Sequence, residues 1–235
     1  AVDYLWDTVD RIDVVYICSN LNIAKQNIDR LNITSNREFQ HAARATLLPV
    51  SIQQLKDNKL NFISLTPKTS LDLRSSTGIK WERALLFNIL KREWDVREST
   101  LRNVMRGDAG RKSFKRTLRY FAAEETIDPD LEQDFVKALR SRPDIRELYD
   151  QAAEMIGWRI DNLTYSMRVK RNQFLGELRG LLASASLEAL EPDLVILDEF
   201  QRFKYLLEEE NELSLLAKKL FDFPDVKVLL LSATP

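Results

Sequence analysis

The stretch Leu194-Val195-Ile196-Leu197-Asp198-Glu199-Phe200-Gln201 sets two carboxylates side by side at the end of an unbroken apolar run. Adjacent acids in such a place can divide one reaction between them. The first holds Mg²⁺ beside the phosphates of a nucleotide, and the second orients or deprotonates an attacking water. Asp198 and Glu199 fit those two roles. A strand that merely ends in soluble residues gives the same pattern, so the chemistry needs a second signal.

The run itself predicts the element that positions these acids. Apolar residues without alternation read as a strand buried on both faces of a parallel sheet, and such strands present their carboxyl ends to ligands. A second run of this kind, Lys227-Val228-Leu229-Leu230-Leu231, ends in Ser232-Ala233-Thr234-Pro235. Residues 12–18 read as an earlier strand that leads through Ser19-Asn20 into a helix face of Leu21, Ala24, Ile28 and Leu31. Backbone N–H groups left free at such a junction suit a phosphate, although Ser19 or Asn20 can equally serve as a plain helix cap. Residues 61–65 read as a further strand. It closes in Thr66-Pro67, where proline stops the strand and leaves Thr66 as a cap. Helices are expected over residues 1–9, 38–45, 52–56 and 211–220, the last returning the chain to the final strand by a right-handed crossover.

Between residues 81 and 190 the pattern is helical and charged, without a strand. The fold class expected is therefore α/β: a parallel sheet flanked by helices, built from residues 1–80 and 191–235, with a large all-helical insertion between them. The first part of that insertion is basic. Residues 91–119 carry ten Lys and Arg against four Asp and Glu. Arg111, Lys112, Lys115 and Arg116 are its densest cluster and a candidate phosphate-gripping surface, set against the plainer reading of a solvated helix face. Phe114, Tyr120 and Phe121 are interleaved, either as core or as stacking platforms.

Composition restricts the remaining classes. The 235 residues hold 35 Lys and Arg against 36 Asp and Glu, so total charge does not announce a nucleic-acid binder. Cys18 and His41 are the only residues of their types, which excludes an internal disulfide and a zinc site built from cysteine and histidine. That usage agrees with a reducing cytoplasm, and Cys18 reads as a small core residue. No apolar run reaches the roughly twenty residues of a membrane span.

Asp-Glu-Phe-Gln on one strand, followed by Ser-Ala-Thr on the next, resembles motifs II and III of the superfamily 2 helicases and translocases of DEAD/DEAH and Swi/Snf-like type. The resemblance implies a RecA-like first motor domain using ATP and Mg²⁺. Asp198 would hold the metal, Glu199 would position water, and Gln201, Ser232, Ala233 and Thr234 would couple nucleotide state to grip on nucleic acid. It also implies strand-path contacts at Ser19 and Asn20 (motif Ia) and at Thr66 and Pro67. Gln201 departs from the histidine usual at its position in the Swi/Snf-like group. The glycine-rich phosphate loop of the family is not in the sequence, so its strand is missing and the strand of residues 227–231 should show an apolar edge. The 235 residues are expected to be a fragment of a larger motor, inactive alone, whose partners are the remaining motor domains and double-stranded DNA. The alternatives are an RNA helicase and a non-catalytic nucleic-acid-binding or assembly module.

Overall fold

The computed structural model describes residues 10–31, 44–66, 77–157, 163–204 and 212–232. The chain divides into two compact units, one of residues 1–72 with 186–235 and one of residues 73–185. The expected helix over residues 1–9, most of that over 38–45, and His41, Pro67, Ala233 and Thr234 lie outside the described residues.

The first unit is an α/β layer structure. Its strands are β1 (Ile12–Ile17), β2 (Leu60–Leu65), β3 (Leu194–Asp198) and β4 (Lys227–Leu231), all parallel, in the order β2-β1-β3-β4. Each apolar run singled out in the sequence is a strand. Strands β1 and β2 are buried almost throughout, as the absence of alternation required. On one face, Val14, Tyr16 and Cys18 of β1 and its end pack with Leu60, Phe62 and Ile196. Helix α1 (Leu21–Leu31) covers that face with Ala24 and Ile28. A short 3-10 turn at Ala45–Leu47 and helix α2 (Leu48–Lys56) carry the chain to β2. Proline stands one residue into α2, where its missing N–H costs nothing, so the helix starts earlier than residue 52.

The order of strands reverses direction beside β1. From β1 the chain goes outward to β2 on one side, and later returns to β3 on the other, continuing to β4. In a parallel sheet this reversal opens a crevice at the carboxyl ends of the two strands that flank it, here β1 and β3.

The outer strand β4 is exposed along its whole length. Val228, Leu229 and Leu230 show 43%, 44% and 43% of their surface, so the expected apolar edge is present.

The second unit is helical. Helix α3 (Lys80–Glu93) is its core element, with Ala84, Leu85, Leu86, Ile89 and Leu90 fully buried. It packs against α4 (Glu98–Met105), α5 (Arg111–Glu124) and α6 (Pro129–Arg140), while α7 (Pro143–Ile156) packs on α4. Asp128 caps α6 by accepting from the Leu131 N–H at 3.1 Å, and Pro129 and Pro143 open the two following helices. The long α8 (Tyr165–Glu188) buries two arginines. Arg179 Nε meets Glu82 Oε2 at 3.1 Å with both side chains fully buried, and Arg171 donates to the Gly107 carbonyl at 3.0 Å and to Asp108 at 2.8 Å. The same Glu82 oxygen accepts the Ile79 N–H at the start of α3, at 2.8 Å. No helix among the described residues is long and apolar enough to cross a membrane.

Candidate functional site

The crevice between β1 and β3 collects the chemistry-bearing residues of the first unit. Asp198 is the last residue of β3 and Glu199 the first beyond it, while Ser19 and Asn20 link β1 to α1 at the same edge. Alternation along β3 puts Asp198 on the face of Leu194 and Ile196, the face that α1 covers. There the Tyr16 hydroxyl donates to Asp198 Oδ2 at 2.5 Å. Asn27 of α1 donates to the Tyr16 oxygen at 2.8 Å and to the same Asp198 oxygen at 3.3 Å. Burial, and then the hydrogen bond to Asp198, hold the Tyr16 phenol well above its ordinary pKa. Tyr16 therefore stays a neutral donor and fixes the carboxylate from below.

Glu199 is held by different partners. Ser19 Oγ donates to its Oε2 at 2.8 Å, and Arg202 lies 3.5 Å from the same oxygen. Its backbone is left-handed, with φ 57° and ψ 44°. A side chain in that region costs about 1–2 kcal/mol. The turn sends the carboxylate off the sheet face that Asp198 occupies and toward the end of β1. The two acids, adjacent in sequence, thus have separate environments.

The other sequence-predicted residues distribute unevenly. Asn20 is exposed, and its carbonyl accepts the Ala24 N–H at 3.0 Å, which makes it the N-cap of α1. The first-turn N–H groups of α1, which lack intrahelical partners, open on the same edge. Thr66 sits at the end of β2 but is buried, with 3% of its surface exposed. Gln201 is exposed in the 3-10 turn Phe200–Arg202, and Ser232 is exposed beyond β4. Arg111, Lys112, Lys115 and Arg116 all lie on α5 of the helical unit and are exposed. Of the aromatics interleaved there, Phe114 and Phe121 are core residues at 1% and 2% exposure, and Tyr120 is surface at 55%. Cys18 is buried, its thiol pushed up chiefly by burial and donating to the Asn20 carbonyl at 3.1 Å.

Sequence reasoning missed Tyr16 and Asn27. Tyr16 carried a signal, being with Asp13 one of two polar side chains inside an otherwise apolar β1; Asn27 carried none.

Asp198 is a carboxylate of the kind a divalent cation takes as one ligand. Mg²⁺ is ordinarily held by one or two carboxylates together with substrate phosphates and water, which an oriented Asp198 at a crevice mouth can supply. Among the described residues no group of three or more His, Cys, Asp or Glu could hold a metal by itself. All six glycines fall between residues 78 and 180, so the sheet unit contains no glycine-rich cradle for phosphates. No protein-family model matches this chain, and neither a curated protein nor a solved structure matches it.

Proposed function

We propose that this chain is the acid-bearing part of an ATP-dependent helicase or translocase acting on double-stranded DNA. The observation that carries the reading is the placement of Asp198 and Glu199 at the reversal of strand order, each oriented by a different hydrogen-bond donor from β1 or its end. Magnesium, when bound with ATP, supplies charge neutralisation on the phosphate oxygens. The chain's own residues do the rest of the local work. Tyr16 and Asn27 fix the Asp198 carboxylate that would hold the metal. Ser19 and Arg202 fix the Glu199 carboxylate toward the crevice mouth, where a general base must stand within hydrogen-bond reach of its water. In the motor resembled, a glycine-rich loop cradles the phosphates from a strand beside β4, and the apolar exposure of β4 supports such a neighbour. The basic face of α5 suits the DNA backbone.

The test is ATP hydrolysis by the complete polypeptide, with and without duplex DNA, single-stranded DNA and RNA, comparing the native protein with Glu199→Gln. Duplex-stimulated turnover that the substitution abolishes supports the motor and names its track; stimulation by RNA alone selects the RNA helicase. One observation favours a second reading, a non-catalytic nucleic-acid-binding or assembly module: both carboxylates already have partners from their own chain. Absence of turnover with every nucleic acid would select that module.

A further inference from the structure

The helical unit contains a cavity of 370 Å³ walled by Arg97, Arg102, Arg106, Arg111 and Lys115. Its volume lies within the range of small-molecule sites, about 300–1,000 Å³. Among the described residues no carboxylate lines it. Glu98, which precedes the lining Ser99, pairs with Arg102 and Lys91 at 3.0 Å each and so compensates the Arg102 charge. Arg97, Arg111 and Lys115 bring three exposed cationic side chains to the same cavity, where an anion lowers their mutual repulsion.

Two further features point the same way. Ser99 and Thr100, in the first turn of α4, line the cavity together with Asn103, adding neutral donors beside the charged ones. Helix α5 begins at Arg111 with Gly110 as its N-cap, no side-chain cap and no acid in its first turn. Arg111 and Lys112 there oppose the helix dipole, a local conflict that a bound anion resolves. Phe114 closes the floor of the cavity with only 1% of its surface exposed, which leaves recognition to the polar groups.

We propose that this cavity binds a phosphomonoester group, presented either by a free nucleotide or by the phosphorylated end of a nucleic-acid strand. Arg111 and Lys115, one helical turn apart, grip the phosphate with Arg97. Lys112 and Arg116 lie on the same helix but outside the cavity, and contribute only general attraction to a polyanion. Every described lining residue belongs to the helical unit, so binding here stands or falls apart from the chemistry of Asp198 and Glu199.

The experiment measures fluorescence anisotropy of a short 3′-labelled oligonucleotide carrying either a 5′-phosphate or a 5′-hydroxyl, with AMP as competitor. The expected result is a preference of about tenfold for the phosphorylated strand. Arg111→Ala/Lys115→Ala should erase that preference, whereas Lys112→Ala/Arg116→Ala should weaken both strands equally and leave it intact. Displacement by AMP assigns the site to free nucleotides, and a retained preference without displacement assigns it to strand ends. Equal binding of both strands with no binding of AMP overturns the proposal. So does a preference that survives in both Arg111→Ala/Lys115→Ala and Arg97→Ala, the second variant standing in if the first fails to fold by circular dichroism.

Discussion

Ser19 and Glu199 share a 2.8 Å hydrogen bond that joins the ends of β1 and β3. It spans the place where the strand order reverses, so the residue expected to cap a helix and the residue expected to orient water form one unit. Neither role had suggested the other.

That contact separates backbone from chemistry at position 199. Because Glu199 is left-handed, Glu199→Gly should leave thermal stability nearly unchanged, while Glu199→Val should cost about 1–2 kcal/mol. Chemical denaturation of the two variants checks this. Both should be inactive wherever Glu199→Gln is inactive. Ser19→Ala, which leaves Glu199 beside Arg202, should lower kcat of the complete polypeptide by about tenfold and stability by about 1 kcal/mol.

Tyr16 should give the sheet unit an alkaline limit. Its phenol is raised in the folded chain by burial first and by Asp198 second, against about 10 in the unfolded chain. A raised pKa means that the contribution is fully present below pH 10 and is lost as the pH rises above that value. The denaturation midpoint should therefore fall more steeply above pH 10 in the native protein than in Tyr16→Phe. At neutral pH the same substitution should cost about 1–2 kcal/mol, because it removes two hydrogen bonds beside Asp198.

The buried Arg179–Glu82 pair governs the helical unit. Removing one partner strands a charge, so Glu82→Gln or Arg179→Met should each destabilise by about 3–5 kcal/mol, with Glu82→Leu/Arg179→Met recovering much of the loss. Gly78 closes over this pair with φ +68°, and a Cβ there would stand 2.0 Å from Glu82 Oε2 and 2.4 Å from Arg179 Nε. Gly78→Ala should therefore cost at least about 3 kcal/mol. Calorimetric unfolding of the four variants orders them.

The exposed β4 should drive self-association at high concentration. Leu230→Lys places a charge on an outer strand that is already 43% exposed at that position. Sedimentation velocity should show less concentration-dependent association for this variant, with its melting temperature little changed.

How far the sequence reached is clearest along β3. Residues 194–198 declared a buried strand because apolar residues ran without alternation, and similar runs located β1, β2 and β4, although β4, read the same way as buried, is exposed along its whole length. The acids were visible for the same reason, as an abrupt change of chemistry at a strand end. What holds those acids was not visible. Tyr16 and Asn27 meet Asp198 across 182 and 171 residues, and no local pattern encodes a contact of that range. The left-handed turn at Glu199 was hidden because glutamate does not advertise that conformation as glycine does. Nothing in the sequence marked Arg171 and Arg179, since arginine is rarely buried, yet α8 buries both, against the Gly107 carbonyl and the carboxylates of Asp108 and Glu82. The basic cluster on α5 was legible as charge, but its split into cavity-lining and outward residues required the fold.

The position of β1 in the sheet sets a timetable for the chain. Val15 pairs with Ile63 on one side and with Val195 on the other. The first partner leaves the ribosome soon after β1; the second follows only once the whole helical unit has been made. Until then one flank of this buried strand has nothing to pair with. Closing so long a loop is entropically easier when the intervening residues have already condensed into a folded body than when they remain a free coil. The arginines buried in α8 should therefore act at a distance in time: a lesion such as Gly78→Ala, far along the chain from the acids, is expected to delay the pairing that brings Asp198 and Glu199 to β1.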